Sequence, residues 1–446
     1  MSISDATGSK PKKILMITSS GGGGLIQAAN AKEQEVLAKY QNLTIVRRDL
    51  LKDWVWKPIG SFFIGFWNRG QLRGSIWMQM VCVYCQALID SFLYPSLFFS
   101  ALYTLFKEDV DHIIDTQPMG TSAIIRALKI FNRKRGKEVR LEKVLVDLPT
   151  RKATHFFRAI KKLSRKDRHL VQLTAIAPFL EEGESEEEFW QQTCGLSAKE
   201  VNCQEVYVRQ AFQAYKGKVR SRERMQIKVC YKNEEELRLM RKTFERGSIC
   251  AWPKEKEVDF HIEPDDRVIT VLLGSQPASE ATLGYVKQCV SLAREYRAAR
   301  TLLFVFCADH LEGEETLFRK VAAWIEKVED YPKNLSVIPF SFQNEAVIAP
   351  LFHRSDATCT RSGGQTAMEL MCVSNGEIWI HSEAKKGQDL LRGIPGWEAA
   401  SAVYLQRICG AKIITPDTFS SHAHLIYQAQ TGNGQALSNR PLESTA

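Results

Sequence analysis

Three glycine turns carry the residue types best suited to chemistry. The stretch "TSSGGGGLIQAANA" offers Gly22, Gly23 and Gly24 between an apolar run and a helix-like segment. "LLGSQPASE" places Gly274 and Ser275 after a second apolar run. "ATCTRSGGQTAMELM" places Arg361, Ser362, Gly363 and Gly364 after a third, with Thr366 in the following first turn and Glu369 one turn on. A strand-to-helix turn presents free backbone N–H groups and a positive helix end to a phosphate. Glycine lets a ligand approach that backbone closely. A diphosphate at the Gly363-Gly364 turn and a ribose at the Glu369 carboxylate is the occupancy this spacing suits. Either of the two later turns alone also serves structure; their order within one segment strengthens the ligand reading. The first loop is not a dinucleotide fingerprint, because Ile26 stands where the last glycine is required, and it lacks the Lys-Ser/Thr of a phosphate loop.

The turns need strands to aim them. Strand-like runs alternate with helical patterns, the mark of an α/β chain with parallel sheets. "KKILMIT", "LTIVRRD", "VDHIIDT", "EKVLVDL" and "LVQLTAI" form a first series, and "RVITVLLGS", "TLLFVFCA", "LSVIPF", "ATCT", "GEIWIHS" and "AKIIT" a second. Residues 1–208 read as an N-terminal Rossmann-like domain and 267–416 as a C-terminal one. The charged segment 209–266, with "EEELRLMRKTFERG", reads as helix plus linker, and 417–446 as a terminal helix with a polar, frayed tail. Two such domains place a ligand crevice at strand carboxyl ends.

Residues 54–106 break the alternation. "WVWKPIGSFFIGFWNRGQLRGSIWMQM" is dense in Trp and Phe, and "VCVYCQALIDSFLYPSLFFSALYTLF" is almost wholly apolar. The second run is long enough to cross a bilayer. Asp90 and Pro95 interrupt it, and a carboxylate at mid-span is costly. A buried or membrane-dipping helical pair is therefore expected, its aromatics either core or interface anchors. Beside it lies a charge excess. Residues 1–175 hold 28 Lys and Arg against 14 Asp and Glu, within a chain of net charge +9. The basic clusters at 126–168, "RALKIFNRKRGKEVR" and "RKATHFFRAIKKLSRKDRH", suit an anionic membrane, a nucleic acid or plain solvent, with nucleic acid ranked last. The 11 scattered cysteines fit a reducing cytosol. "MSISDATGSKPKK" has no apolar core, so no secretory leader is expected and the location is cytoplasmic.

"RSGGQTAMEL" resembles the nucleotide-binding signature of a group of GT-B glycosyltransferases. The group holds the peptidoglycan lipid-linked N-acetylglucosaminyltransferases and the monogalactosyldiacylglycerol synthases. "VLLGSQPAS" resembles the second-domain glycine loop of the peptidoglycan enzymes, and "PFSFQNEAVIAPLFHRSDATCTRSGG" resembles the group's approach to the signature. "SSGGGGLIQAANA", "LTIVRRDLLKDWVWKPIG", "VDHIIDTQPMGTSAIIRAL", "KVLVDLPTRKATHFF" and "GLSAKEVNCQEVYVRQAF" resemble the galactolipid synthases. The resemblance implies a GT-B fold, two Rossmann-like domains facing a central cleft. It also implies a UDP-sugar donor held by the nucleotide-sugar-binding domain 267–416, a lipid or lipid-linked acceptor held by the acceptor-side domain 1–208, and peripheral attachment to a membrane.

By position, the resemblance assigns Gly274, Ser275, Gly363 and Gly364 to the diphosphate, Glu369 to the ribose, and Gln388 and Asp389 of "AKKGQDLLRG" to the sugar hydroxyls. Arg361 is a candidate cationic helper. No acidic cluster suits Mg²⁺, so neither metal nor other cofactor is expected. The general base departs from the group's pattern: Leu25 replaces its histidine, Ser20 an aspartate, and Gln117 the histidine of a His-Pro pair. Asp115, Asp147 and His155, at strand ends, are the remaining candidates. The expected activity is an inverting, metal-independent glycosyl transfer from a UDP-sugar to a lipid-like acceptor. The alternative is a nucleotide-sugar-binding GT-B protein with lost or altered catalysis, such as 2-epimerisation.

Overall fold

In the computed structural model the described residues are 13–428 except 41, 221, 245–255, 298–299 and 308–315. The stretch read as a polar tail, from 430 onward, lies outside them. The chain divides into two compact units. Unit 1 comprises Met1–Ala214, Ser362–Cys372 and Ile394–Cys409; unit 2 comprises Tyr215–Arg361, Val373–Gly393 and Gly410–Ala446.

Unit 1 is built on β1 (Lys13–Thr18), β2 (Thr44–Asp49), β3 (His112–Asp115), β4 (Leu141–Val144), β5 (Val171–Ala175) and β6 (Val201–Cys203). They form one parallel sheet in the order β2-β1-β3-β4-β5-β6. Unit 2 has a two-stranded antiparallel ribbon of β7 (Met225–Cys230) and β8 (Glu257–Ile262). Its main sheet holds β9 (Arg267–Leu272), β10 (Thr301–Phe306), β11 (Leu335–Phe340), β12 (Ala357–Thr360), β13 (Glu377–His381) and β14 (Lys412–Ile414). The order is β11-β10-β9-β12-β13-β14, all parallel. Both sheets are doubly wound α/β, with switch points between β1 and β3 and between β9 and β12. Two Rossmann-like units in one chain is the plan that the GT-B resemblance implies. Strands β9, β10 and β11 are buried along their whole length, as in a parallel sheet with both faces covered. The segment 209–266 contains the helix Glu234–Phe244 and also β7 and β8, strands absent from the sequence reading.

The apolar insert forms three helices rather than a pair: Lys57–Leu72, Ile76–Tyr84 and Gln86–Glu108. The last is the one helix among the described residues long and apolar enough to cross a membrane. Leu93, Leu97, Ala101 and Leu105, four residues apart, form its buried stripe. Its other face is apolar too: Leu88, Phe92, Phe99 and Tyr103 are each at least 66% exposed. Asp90 is turned into the protein, accepting from the Gly120 N–H at 3.0 Å. Burial pushes its carboxyl up to about 6. Inside one unit that carboxylate caps a turn, which removes the mid-span objection without making the helix a span.

Strand β4 carries opposite buried charges on opposite faces. Glu142 meets Lys32 at 2.9 Å, His112 at 3.2 Å and Thr174 at 2.8 Å. Lys143 meets Asp115 at 2.7 Å and the Thr121 hydroxyl at 2.9 Å. Burial pushes the Glu142 carboxyl up, but Lys32 and His112 together hold it far below its ordinary value of 4.5. A carboxyl lowered by folding contributes stability that is fully present above its unfolded value and lost as pH falls towards its folded one. Glu142→Gln should cost about 3–5 kcal/mol, because a buried pair loses one partner. In urea titrations at stepped pH, the wild-type protein should lose stability below about pH 4.5 more steeply than the variant does.

Candidate functional site

Two of the three expected bases meet in unit 1. The chain leaves β4 through Leu145 and Val146 to Asp147, turns, and enters the helix Thr154–Lys161. His155, in the first turn of that helix, places Nε2 2.8 Å from Asp147 Oδ2. The His155 Nδ1 is buried and has no hydrogen-bond partner. The Gln86 side-chain amide fixes the approach by donating to the carbonyls of His155 (3.0 Å) and Pro118 (2.9 Å). The carboxylate therefore orients the imidazole through one nitrogen and leaves the other to exchange a proton, the arrangement of a general-base pair. Asp115 belongs to a different network. It is fully buried, ion-paired to Lys143 and bonded to the Gln117 N–H at 2.8 Å. Burial pushes its carboxyl up against the pull of Lys143.

Aromatic rings flank the pair. Trp397 lies edge-on to His155, centroids 5.5 Å apart, and near-parallel to Trp67 at 6.3 Å. The Trp67 indole nitrogen is 3.6 Å from where a Gly22 side chain would begin. The first glycine loop thus faces the same aromatic group as the dyad. Gly22 is the residue before the helix Gly23–Lys39, whose first turn holds Gly23 and Gly24. Leu25, where the resemblance expects histidine, gives only its carbonyl, which accepts from the Thr116 hydroxyl at 3.1 Å. The acidic group at this loop is Asp49, from the end of β2, which accepts from the Ser20 N–H at 2.7 Å and from its hydroxyl. The sequence reading looked for it at position 20 and found serine.

The signature turn reaches the dyad from the other side within unit 1. A side chain at Gly364 would meet the Val146 carbonyl at 2.1 Å and the Asp147 Cα at 2.4 Å. The helix Gly364–Val373 therefore rests its N-terminus directly on the Asp147 backbone, and only glycine permits that. A Gly363 side chain would meet open space. The Ser362 hydroxyl donates to the Glu398 carbonyl at 2.7 Å, and Thr366 is half-buried in the first turn. Glu369 is 3% exposed, and its carboxylate takes a two-pronged grip from Arg209 at 2.9 and 3.1 Å. Arg209 was missed, and nothing at 160 residues' separation signals it. Tyr207, two residues before, is buried with its hydroxyl unpartnered, and burial together with the Asp147 charge pushes it up.

The remaining residues lie in unit 2, at strand carboxyl ends. Gly274 (φ 88°) and Ser275 follow β9, and a side chain at Gly274 would meet nothing within 4 Å. That backbone is in the left-handed region and open to a ligand. Arg361 follows β12, with its guanidinium 3.7 Å from Glu383, which follows β13. Gln388 and Asp389 are exposed and brace their own turn, accepting from the Lys385 and Leu391 N–H groups at 3.1 Å each. No group of three or more His, Cys, Asp or Glu placed to hold a metal occurs among the described residues.

No protein-family profile and no curated protein matches the chain. Solved structures that resemble it include MurG from Acinetobacter baumannii. That likeness has 13% identity over 94% of this chain and 92% of that one, with a TM-score of 0.43. A UDP-N-acetylglucosamine 2-epimerase assigned in Listeria monocytogenes gives 10%, 94%, 89% and 0.46. The UDP-GlcNAc 2-epimerase of Neisseria meningitidis, bound to UDP-GlcNAc, gives 12%, 94%, 99% and 0.41. These are likenesses of overall plan.

The glycine geometry yields a paired expectation. Gly364→Ala should lower stability by about 1–3 kcal/mol through backbone overpacking. Gly363→Ala should stay within about 0.5 kcal/mol of the parent. Thermal unfolding of the two variants side by side checks this.

Proposed function

We propose that this protein is a glycosyltransferase that moves a sugar from a UDP-sugar to a lipid-like acceptor at the cytosolic face of an anionic membrane. The observation that carries the reading is the Asp147–His155 pair at 2.8 Å, set against the N-terminus of the signature helix. In the transfer, the acceptor hydroxyl attacks the anomeric carbon as the bond to the diphosphate breaks. His155 Nδ1 takes the hydroxyl proton, and Asp147 stabilises the imidazolium that forms. Attack from the face opposite the leaving group inverts the anomeric centre. The departing UDP carries the charge, and each unit has groups suited to receive it without metal: the Gly364 N–H and the helix N-terminus in unit 1, the Gly274 N–H and Arg361 in unit 2. In unit 1, Glu369 suits the ribose once Arg209 yields one carboxylate oxygen; in unit 2, Gln388 and Asp389 suit sugar hydroxyls once they leave their turn.

The helices of the insert support the choice of acceptor. The helix that supplies Trp67 to the glycine loop also exposes Phe62, and the one that supplies Gln86 exposes Leu88 and Phe92. A hydroxyl on a lipid held at that apolar face arrives beside the dyad. The helix Thr121–Arg135 packs along Gln86–Glu108 and exposes Arg126, Lys129, Arg133 and Lys134. Apolar insertion flanked by cations is what binds a peripheral protein to anionic lipid.

A second reading rests on Leu25 and on the Arg209 grip of Glu369: the protein binds nucleotide sugars with lost or altered chemistry, 2-epimerisation included. UDP release from UDP-sugars, with and without lipid acceptor, decides between them. His155→Gln and Asp147→Asn should each lower kcat by about 10²–10⁴-fold, and EDTA should leave the rate unchanged. No release from any donor, or full activity in His155→Gln, overturns the transferase. UDP should raise the unfolding temperature under both readings, and Glu369→Gln, which keeps a partner for Arg209, should reduce that rise. A second expectation concerns the membrane. The protein should float with phosphatidylglycerol vesicles and not with pure phosphatidylcholine. Trp77, on the helix Ile76–Tyr84, is exposed like Phe92, and Trp77→Ser with Phe92→Ser should weaken that binding about tenfold or more.

A further inference from the structure

The carboxyl edge of the unit 2 sheet holds a chain of polar groups of which the transfer mechanism uses only Arg361. Arg361, after β12, has its guanidinium 3.7 Å from Glu383 Oε1. The same oxygen lies 3.1 Å from His381 Nε2, at the end of β13. The two atoms are close enough for an ion pair, but neither has an aligned hydrogen-bond partner. His381 Nδ1 is 2.9 Å from the hydroxyl of Tyr285, on the helix Ser279–Glu295, and that hydroxyl is 3.5 Å from the Ile414 carbonyl on β14. Tyr285 and His381 are both buried. We propose that a diphosphate ester binding to unit 2 draws Arg361 from Glu383 and that His381 then takes up a proton to replace the lost positive charge. The inference rests on the nucleotide-sugar reading above.

The Gly274 turn and Arg361 stand at the carboxyl ends of β9 and β12, the switch point where an anion is received. Glu383 is an anion on the same edge. Burial pushes its carboxyl up, but His381 and Arg361 together hold it below its ordinary value. With Arg361 turned to the diphosphate, Glu383 keeps its charge in a half-buried place only if another cation faces it. His381 is the titratable group in reach.

The Tyr285 side of the ring accommodates both protonation states without moving a heavy atom. In the neutral ring, Nε2 carries the hydrogen beside Glu383 and the Tyr285 hydroxyl donates to Nδ1. In the charged ring, Nδ1–H donates to the Tyr285 oxygen, and the hydroxyl turns to the Ile414 carbonyl. The proton comes from solvent and ends on Nδ1; no other bond changes. The other groups around His381 do not compete. From β12, the Cys359 thiol is held neutral by burial. From the helix Pro416–Gln428, Phe419 packs on the Tyr285 ring and carries no charge.

Titration calorimetry with UDP-glucose and UDP-N-acetylglucosamine tests this, because their diphosphate diesters do not titrate near neutrality. The wild-type protein should bind several-fold more tightly at about pH 6 than at about pH 8. Its binding enthalpy should differ between phosphate and Tris buffers, the sign of proton uptake. His381→Gln and Glu383→Gln should each bind with a flat pH profile and no buffer dependence. Glu383 is part-exposed, so its variant carries the test if His381→Gln fails to fold. Equal enthalpies in the two buffers, or a wild-type pH slope retained in a folded variant of either residue, overturn the inference and leave the nucleotide site standing. No binding of either UDP-sugar at any pH overturns both.

Discussion

The opposed charges on β4 are the constraint on which unit 1 depends. Neighbouring residues of a strand point to opposite faces, so Glu142 and Lys143 meet different partners. A slip of one residue would bring the carboxylate to the side of Asp115 and the ammonium to the side of Lys32. Two buried like-charge meetings would replace two buried ion pairs, a far larger penalty than a misplaced apolar side chain. The register of β4 against β3 and β5 is thereby fixed. With it is fixed the point at which the chain emerges as Val146 and Asp147. The contact with Gly364 and the aim of Asp147 at His155 both follow from that point.

The same logic explains what the sequence disclosed. "EKVLVDL" reads as a buried-type strand by its apolar run, and it is one. The Glu and Lys at its start are buried as deeply as its valines, which a hydropathy pattern cannot show because the compensating charges lie on other elements. Asp147 and His155 were both legible as strand-end candidates. Their pairing was not, since it depends on how the intervening turn folds. The signature at Arg361–Glu369 was legible as a turn and helix start, but the Arg209 grip on Glu369 was not. The ribbon β7–β8 had a readable period of two, in Ile227 and Val229 and in Val258, Phe260 and Ile262. The charged residues between them made the segment look like linker.

The glycine turns divide by purpose in a way that composition alone cannot. Gly364 is required by a neighbouring backbone, Gly274 by its own dihedral and the space before it, and Gly363 by neither. A run of adjacent glycines therefore need not mean one function repeated. In "RSGGQ", one glycine permits two segments of the same unit to touch, while its neighbour keeps the approach open.

The helix Gln86–Glu108 belongs to two surfaces at once. Its inner stripe packs into the core of unit 1, Asp90 holds the Gly120 turn, and Gln86 holds the backbone of His155. Its outer face is apolar. In a protein whose lipid-seeking part is an appended tail, that part can be cut away to leave a working enzyme in solution. Here it cannot, since the residues that would touch lipid share a backbone with those that hold the proposed base in place. Under the membrane attachment proposed above, solubility and an assembled site are opposing demands on a single element, and any change to the outer face would have to proceed residue by residue while leaving the inner one untouched.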